Sequence, residues 1–288
     1  MDFKIYLETN ARKIDEEVDR LLIEFLEEVR NTNSHLVPFA LGLINFCKGG
    51  KRVRGVLVKL GYELANEMSN KEILTISAAF EILHAAILVH DDIMDQSELR
   101  RGKPTLYRAL GGHHYGISQA LTLGDIGLFL AVKLITDTTF PGEYKLKALS
   151  YFSQMVINTG WGQVLDVELT QLKHTSEESE PTSEVIKFIN LYKTAKYTIA
   201  GPLQIGAILG GVDEGLLEKL GHFGENLGIA FQIQDNILDG EAGTVDSAKE
   251  KALEYALRAK KVIPRLTKDE RLSKLLEQMA EYMVERSK

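Results

Sequence analysis

The chain has 288 residues, of which 44% are hydrophobic and 26% charged, and its formal net charge is −7 at pH 7. This length and composition allow one large hydrophobic core, as in a globular protein. The moderate acidic charge is spread along the sequence, which excludes the basic surface typical of proteins that bind nucleic acid or acidic membranes. A phosphate-bearing ligand therefore needs local clusters of Lys and Arg.

The single cysteine, Cys47, cannot form an internal disulfide, and residues 1–20 carry charges where a signal peptide has its apolar segment. These features predict a cytoplasmic location. The most apolar stretches, residues 73–89 and 197–212, are either too short for a clean membrane span or interrupted by Gly, Pro and polar residues. We therefore predict that both are buried helices and that the chain has no membrane span.

Apolar residues recur every three to four positions along most of the chain, which indicates helices that bury one face. This pattern covers residues 1–30, 56–65, 73–89, 117–134, 146–172, 185–200, 216–238 and 249–288. No convincing strand pattern separates them, and the polar stretch 174–183 is predicted to be a solvent-exposed loop. The sequence predicts an all-α fold in a single domain.

Local signals mark some of the helix boundaries. Ser69 with Glu72 and Thr267 with Glu270 match the capping-box pattern that begins a helix. Pro202 lies inside a helical pattern, where a residue without an N–H predicts a kink.

An acidic motif follows the longest apolar run. In the segment ILVHDDIMD, Asp91 and Asp95 lie one helical turn apart on one face, with Asp92 beside them. Carboxylates about 4 Å apart repel by roughly 4 kcal/mol at an effective dielectric near 20, and a divalent cation removes that cost. The absence of Cys or paired His at zinc spacing favours Mg²⁺, whose coordination is commonly completed by water and phosphate oxygens.

A second copy of this design occurs later in the chain. The segment FQIQDNILD places Asp235 and Asp239 on one helical face after another apolar run. A single acidic helix end is as easily a solvated surface, but two copies favour magnesium ions held with a diphosphate. Two basic clusters, GGKRVRG and ELRRGKP, provide the Lys and Arg that bind phosphate without metal.

These motifs resemble, in order, those of the trans-type prenyl diphosphate synthases, which include farnesyl and geranylgeranyl diphosphate synthases. The resemblance runs from about Lys48 to Asp239 and rests on GGKRVR, EILHAAILVHDDIMD, RRGKPT, GQVLD, YKTA and FQIQDNILD. It implies an isoprenoid-synthase helical bundle around a central cavity. It also implies Mg²⁺-dependent, head-to-tail condensation of isopentenyl diphosphate with an allylic diphosphate, with up to about three Mg²⁺ ions, in a homodimer.

The resemblance assigns roles to particular residues. The carboxylates expected at the metal are Asp91, Asp92, Asp95, Asp235 and Asp239. The residues expected to bind the allylic diphosphate are Arg100 and Lys193, and those for isopentenyl diphosphate are Lys51, Arg54, His84 and Arg101. Gln163 and Asp166 match a further substrate-binding motif, although a polar helix face also explains them. His84, two helical turns before Asp91, is either a site residue or a structural core histidine.

The reaction expected from this family begins with departure of pyrophosphate from the allylic substrate, which leaves a carbocation. Thr194, Gln232 and backbone carbonyls near Pro202 are candidates to stabilise that cation through fixed oxygen dipoles. The alkene of isopentenyl diphosphate then attacks, and released pyrophosphate accepts the proton.

Product length is expected to depend on the helix that ends in DDIMD. In the family a bulky aromatic residue four or five positions before the first Asp stops elongation early, and here these positions are Ile87 and Ala86. Phe80 lies eleven residues before Asp91. At 1.5 Å per residue it is about 16 Å along the helix, where it would form the floor of a cavity for a product of about twenty carbons.

The chain departs from the family pattern at three places. Asn236 stands where the second acidic motif normally has Asp, and Gly55 where Pro usually follows GGKRVR. The lysine-bearing loop expected after Asp239 is missing, so residues 1–288 are predicted to form one shortened synthase domain in which Lys249 or Lys251 is a candidate substitute. Two alternatives to an active synthase stay open: a regulatory or weakly active subunit of a heteromeric synthase, and a terpene cyclase.

Overall fold

The computed structural model describes residues 2–66, 68, 70–174, 183–240 and 244–285, and most of them are helical. The α-helices are α1 (Phe3–Thr32), α2 (Val37–Phe46), α3 (Val53–Ala65), α4 (Glu72–Met94), α5 (Leu106–Ala109), α6 (His113–Asp137), α7 (Gly142–His174), α8 (Ser183–Ile189), α9 (Gly201–Leu209), α10 (Glu214–Asp239), α11 (Val245–Lys260) and α12 (Glu270–Glu285). Short 3₁₀ turns cover Ser34–Leu36 and Ile263–Arg265, and a π-helical segment covers Asn190–Ala200. The prediction of an all-α fold is confirmed.

The chain divides into two compact units. The first unit comprises Met1–Thr9, Leu57–Asn70 and Phe140–Lys288, and the second comprises Asn10–Val56 and Lys71–Thr139. Buried side chains such as Leu203, Phe223 and Leu276 form the core of the first unit. The core of the second includes Ile76 and Leu83 from α4, with other residues of α2 and α6. The single synthase domain stays a prediction.

Helix caps only partly follow the sequence signals. The predicted Ser69 cap lies outside the described residues. At α12 the Thr267 hydroxyl accepts a hydrogen bond from Asp269 N (3.1 Å), and Asp269 Oδ1 in turn accepts one from Arg271 N (2.7 Å). The side chain that caps α12 is therefore Asp269 and not Thr267, because it lies next to the first helical residue and reaches the first-turn amides.

Two glycines allow α3 and α9 to touch through their backbones in the first unit. A Cβ at Gly206 would lie 1.9 Å from Val58 O, and one at Gly61 would lie 2.0 Å from Leu203 O.

The predicted kink at Pro202 takes a different form. The helix widens before Pro202, in the π-helical segment, and the bond from Gly201 N to Lys196 O spans five residues. Because Pro202 has no N–H, it cannot donate the next bond of this five-residue series.

In the second unit α4 packs against α6. A Cβ at Gly124 would lie 2.3 Å from His90 Nε2, and one at Gly127 would lie 3.0 Å from Ala86 Cβ. After α4 the chain forms a small antiparallel hairpin, β1 (Leu99–Arg100) and β2 (Lys103–Pro104). Such short strands give no periodic sequence pattern, which explains why they were not predicted.

Two helices of the second unit are long and apolar enough, by length and composition, to cross a membrane. Core helices of proteins without a membrane span pass the same test. In α4, 67% of the apolar window is buried inside the structure, as predicted for residues 73–89. In α6 only 33% is buried, and it leaves apolar side chains such as Phe129 (69% exposed) uncovered.

Candidate active site

The acidic end of α4 presents its three carboxylates to different surroundings. Asp91 is partly exposed, and Asp95, the residue that caps the helix, is exposed. The Asp92 side chain is only 1% exposed, and its Oδ1 accepts hydrogen bonds from Arg100 Nε (2.9 Å) and Arg100 Nη2. Burial raises the pKa of the Asp92 carboxyl, while the bonds from Arg100 act in the opposite direction. Asp91 and Asp95 are therefore accessible to solvent to different extents, whereas Asp92 is buried against Arg100.

The hairpin after α4 connects this acidic end to the loop GGKRVR. Arg100 Nη2 lies 3.8 Å from Asp91 Oδ2 as well as contacting Asp92. The next residue, Arg101, has a left-handed φ of 53° at the hairpin turn, and its Nη1 donates to Lys48 O and Gly49 O, both at 2.9 Å. Two adjacent arginines thus contact the carboxylates on one side and the basic loop on the other.

The predicted anchors for isopentenyl diphosphate lie together in the second unit. Lys51 is exposed, and within the described part of the chain it forms no ion pair. Arg54 is half-buried. Arg101 uses only Nη1 for its bonds to the loop carbonyls, so its other nitrogens have no partner among the residues described. Lys51 and Arg101 therefore retain donors for a phosphate group.

His84 lies among the arginines of the same region. Burial lowers its pKa well below the usual range, and the positive charges of Arg54, Arg101, Arg100 and Arg52 lower it further. The imidazole is therefore neutral at neutral pH. A bound diphosphate would supply negative charge and favour protonation of His84. The arginines around His84 are therefore consistent with a residue of the substrate site as well as with a structural core histidine.

The lowered pKa of His84 predicts a pH dependence of stability. The unfolded chain takes up a proton near pH 6.5, which folded His84 does not, so the free energy of unfolding should decrease as the pH falls below about 6.5, by at most about 1.4 kcal/mol per pH unit. Urea unfolding between pH 7.5 and 5 should show a shallower decrease for His84→Asn than for the unmodified chain. Identical slopes would contradict a depressed pKa.

The first unit positions a second set of predicted residues on the π-helical segment and α7. Lys193 Nζ donates to Asp166 Oδ2 at 2.7 Å, with both side chains about one third exposed. Gly162 makes this approach possible, because a Cβ there would lie 2.5 Å from Lys193 N. Gln163 Nε2 is buried without a hydrogen-bond partner among the described residues. The motifs GQVLD and YKTA therefore meet, as their common assignment to substrate binding requires.

The second acidic motif ends α10 in the same unit. Gly224 and Gly228 let α10 lie close to Ala200 and Ala195 of the π-helical segment, respectively. Further along α10, Gln232 Nε2 donates to Asn236 Oδ1 at 2.7 Å, so the side chain of Asn236 has a partner on the same helix. Asp235 is partly exposed and Asp239 is exposed. Lys249 and Lys251, the proposed substitutes for the missing lysine, are both exposed on α11.

The three predicted chain-length residues do not share one environment. Phe80 is fully buried, and Ile87 is partly exposed on the stripe that also carries His84 and Asp91. Ala86 is 1% exposed and packs toward Gly127 of α6. A bulky residue at position 86 would therefore press first on α6.

Sequence reasoning missed a buried ion pair beside the basic loop. Arg52, grouped there with the phosphate-binding cations, is only 4% exposed and lies 3.7 Å from Glu81 Oε2, which is 5% exposed. A charged residue inside the apolar run AAFEILHAAILV was the signal for such a pair. Burial also raises the pKa of the neighbouring Cys47 thiol to about 12.

No group of three or more His, Cys, Asp or Glu side chains within the described ranges is arranged to hold a metal by itself. Asp91 with Asp95, and Asp235 with Asp239, each supply two accessible carboxylates at helical i, i+4 spacing. A pair of this kind suits a hard cation that takes its other ligands from water and phosphate.

Comparison with known proteins gives the family. A family model described as polyprenyl synthetase matches residues 41–259. Geranylgeranyl diphosphate synthase of Sulfolobus acidocaldarius is 33% identical over 67% of this chain and 55% of its own length. A protein of Arabidopsis thaliana named putative geranylgeranyl pyrophosphate synthase 8, chloroplastic, is 30% identical over 97% of this chain and 74% of its own. The chain thus spans little more than half of the first relative.

A solved structure shares the fold over nearly the whole chain. Geranylgeranyl pyrophosphate synthase from Corynebacterium glutamicum, complexed with isoprenyl diphosphate and magnesium, superposes with a TM-score of 0.86. The alignment covers 98% of this chain and 99% of that one at 21% identity. With the family model matching well over half of its residues, the chain belongs to the polyprenyl synthetase family.

Proposed function

We propose that the chain is a trans-prenyl diphosphate synthase, which condenses isopentenyl diphosphate with an allylic diphosphate to give a longer all-trans prenyl diphosphate and pyrophosphate. The observation that carries the proposal is the hairpin of the second unit. Its Arg100 contacts Asp91 and Asp92, and its Arg101 contacts the GGKRVR loop. A carboxylate site and a metal-free phosphate site, the two kinds that this reaction needs, are thus built side by side.

Asp91 and Asp95 in the second unit, and Asp235 and Asp239 in the first, are the proposed magnesium ligands. When bound, Mg²⁺ neutralises charge on the departing diphosphate. The structural neighbour from Corynebacterium glutamicum, whose structure contains magnesium and isoprenyl diphosphate, supports the use of a divalent metal. Asp92 is better suited to orient Arg100, because its Oδ1 is already bonded to that guanidinium. The number of ions stays a prediction.

The remaining residues act through charge and hydrogen bonds. Lys51, Arg54 and Arg101 anchor the diphosphate of isopentenyl diphosphate, with His84 beside them. Arg100 and Lys193 each offer a positive charge to the allylic diphosphate, and Gln163 an amide donor. Asp166 holds Lys193 in place through their 2.7 Å bond.

The allylic C–O bond breaks with both electrons leaving on pyrophosphate, and the alkene of isopentenyl diphosphate supplies the electrons of the new C–C bond. A proton is then lost to pyrophosphate, which forms the new double bond. Thr194 and Gln232 offer fixed oxygen dipoles to the cation that exists between these steps.

The proposed product has about twenty carbons, since a fully buried Phe80 lies about 16 Å from Asp91 along α4. Relatives named geranylgeranyl diphosphate synthase support this length. Phe80→Ala should remove the floor of the cavity and shift the products to longer chains. Phe3→Ala, which removes an equally buried ring from the first unit, should cost comparable stability and leave product length unchanged.

The experiment that tests the function uses purified chain, Mg²⁺, labelled isopentenyl diphosphate and dimethylallyl, geranyl or farnesyl diphosphate, with the extracted products sized. We expect elongation that stops when EDTA removes the metal. Elongation in none of these mixtures would overturn the proposal. It would favour a subunit that needs a partner synthase, whereas a cyclic hydrocarbon formed without isopentenyl diphosphate would favour a terpene cyclase.

We further propose that a second copy of the chain covers exposed apolar side chains, as expected for a homodimer. On α6, Tyr115 (59% exposed) and Phe129 (69%) are uncovered, and on α7, Trp161 (60%) and Val164 (58%). A molar mass of one chain in sedimentation at micromolar concentration would contradict this.

A cytoplasmic location stays a prediction, because relatives named chloroplastic exist.

A further inference from the structure

The loop that carries Lys51 and Arg54 has an unfavourable backbone. Gly49 and Gly50 have φ values of 80° and 111°, and Arg52 has a φ of 53°, which side chains other than Gly rarely adopt. Such a backbone persists only where surrounding contacts stabilise it. Here three consecutive carbonyls after α2 accept hydrogen bonds from arginine side chains. Cys47 O accepts one from Arg52 Nη2 at 3.0 Å, and Lys48 O and Gly49 O each accept one from Arg101.

Arg52 fixes the loop from the inside. Its side chain is 4% exposed, so its charge faces protein groups and not substrate. Nε donates to Asp15 Oδ1 of α1 at 2.6 Å, and Nη1 lies 3.7 Å from Glu81 Oε2. Arg52 therefore connects the loop to α1 and to α4.

Glu81 fixes the other end of the loop. Its Oε1 accepts a hydrogen bond from Gly55 N at 2.7 Å, directly after the last residue of GGKRVR. A proline at position 55, expected from the family pattern, has no N–H and could not make this bond. Gly55 also lies so close to α4 that a Cβ would be 2.7 Å from Ser77 O. This chain thus ties the basic loop to α4 through Glu81.

The same helix carries the acidic motif ten residues later. Because an α-helix is rigid over three turns, a loop tied to Glu81 is held at a fixed distance from Asp91. Buried ion pairs add little stability over apolar residues of the same size, so stability alone does not explain this one. The position of the pair, between the basic loop and the helix that carries Asp91, points to a role in fixing the distance between them.

We propose that Arg52 and Glu81 are positioning residues. They hold Lys51 and Arg54 at a fixed distance from Asp91 for the binding of isopentenyl diphosphate. The inference rests on the proposed synthase function. Neither residue touches substrate. Both act through the backbone of residues 47–55.

The test compares Glu81→Gln and Glu81→Ala with the unmodified chain. Gln keeps an acceptor for Gly55 N but loses the charge facing Arg52, and Ala loses both. We expect KM for isopentenyl diphosphate to rise at least about tenfold in Glu81→Ala and by a smaller factor in Glu81→Gln, with KM for the allylic substrate changed less than about twofold. Glu63→Gln is the matched control, because Glu63 bonds Tyr6 and Lys59 in the first unit.

Hydrogen exchange of peptides covering residues 47–55 gives a readout without activity. Exchange should be faster in both Glu81 variants and unchanged in Glu63→Gln. Unchanged exchange, an equal rise in KM for both substrates, or a rise in Glu63→Gln as large as in the Glu81 variants would overturn the proposal. If Glu81→Ala does not fold, Glu81→Gln alone decides. If the unmodified chain does not elongate, the proposed function fails, and exchange still shows whether Glu81 holds the loop.

Discussion

An Asp91→Asn chain is expected to keep its fold and to lose roughly 10²- to 10³-fold in kcat for prenyl transfer. Asn has nearly the shape of Asp but lacks the negative charge that attracts Mg²⁺. Asp91 is partly exposed at the end of α4, where a metal can reach it. The Mg²⁺ concentration for half-maximal activity should rise as well, which a metal titration of the initial rate would measure.

The neighbouring Asp92 provides the contrast. Asp92→Asn should lower the free energy of unfolding by about 1–3 kcal/mol, because it weakens a buried bond to a charged guanidinium. Its Mg²⁺ requirement should stay near that of the unmodified chain. Asp19→Asn, an exposed position on α1, should change neither quantity. If the Mg²⁺ concentration for half-maximal activity rises equally in the Asp91 and Asp92 variants, Asp92 is a metal ligand and the prediction is wrong.

Two glycines on α7, two residues apart, should respond in opposite directions to the same added methyl group. A Cβ at Gly162 would lie 2.5 Å from Lys193 N and 2.9 Å from Lys193 Cα, whereas one at Gly160 meets no atom within 4 Å. Gly162→Ala should lower stability by about 1–3 kcal/mol through overpacking. Gly160→Ala should raise it by about 0.5–1 kcal/mol, because Gly is a poor helix former.

The two variants should also differ in activity. Gly162→Ala displaces the π-helical segment that carries Lys193 and Thr194, so kcat should fall at least about tenfold, while Gly160→Ala should keep full activity. Calorimetry would show the stabilities as shifts in Tm of about 2–4 °C for each kcal/mol. A Gly162→Ala chain with unchanged kcat would show that the position of Lys193 is not critical.

The sequence predicts most helices because each buries one face. Ile14, Val18 and Leu21 on α1 are all at most 6% exposed. A helix without this contrast between its faces gives no such signal. Helix α2 has the sequence VPFALGLINF, apolar nearly all round, and was not predicted. Residues 185–200 were predicted as one helix, but α8 ends at Ile189 and a π-helical segment follows, because no turn or capping signal in the sequence marks the change of hydrogen-bond pattern.

The candidate site was predictable in its residue types but not in their partners. Repeated carboxylates and clustered cations are visible in the sequence, and the structure groups them within each unit. Burial separates residues that the sequence cannot distinguish. Arg52 and Lys51 are adjacent and both cationic, yet one is 4% exposed and ion-paired while the other is open to solvent. Similarly, the adjacent Asp92 and Asp91 differ in burial, at 1% and 19% exposed, and Arg100 contacts Asp92 more closely than Asp91.

The surroundings of Cys47 have a practical consequence for probe attachment. A thiol reacts with maleimides as the thiolate, and a buried group with a pKa of about 12 supplies almost none at neutral pH. Since the sequence contains one cysteine, the unmodified chain should stay unlabelled while folded. A cysteine introduced at an exposed position such as Gly160 or Lys249 would then be the single site labelled by a spin label or fluorophore. Cys47 would not need to be replaced.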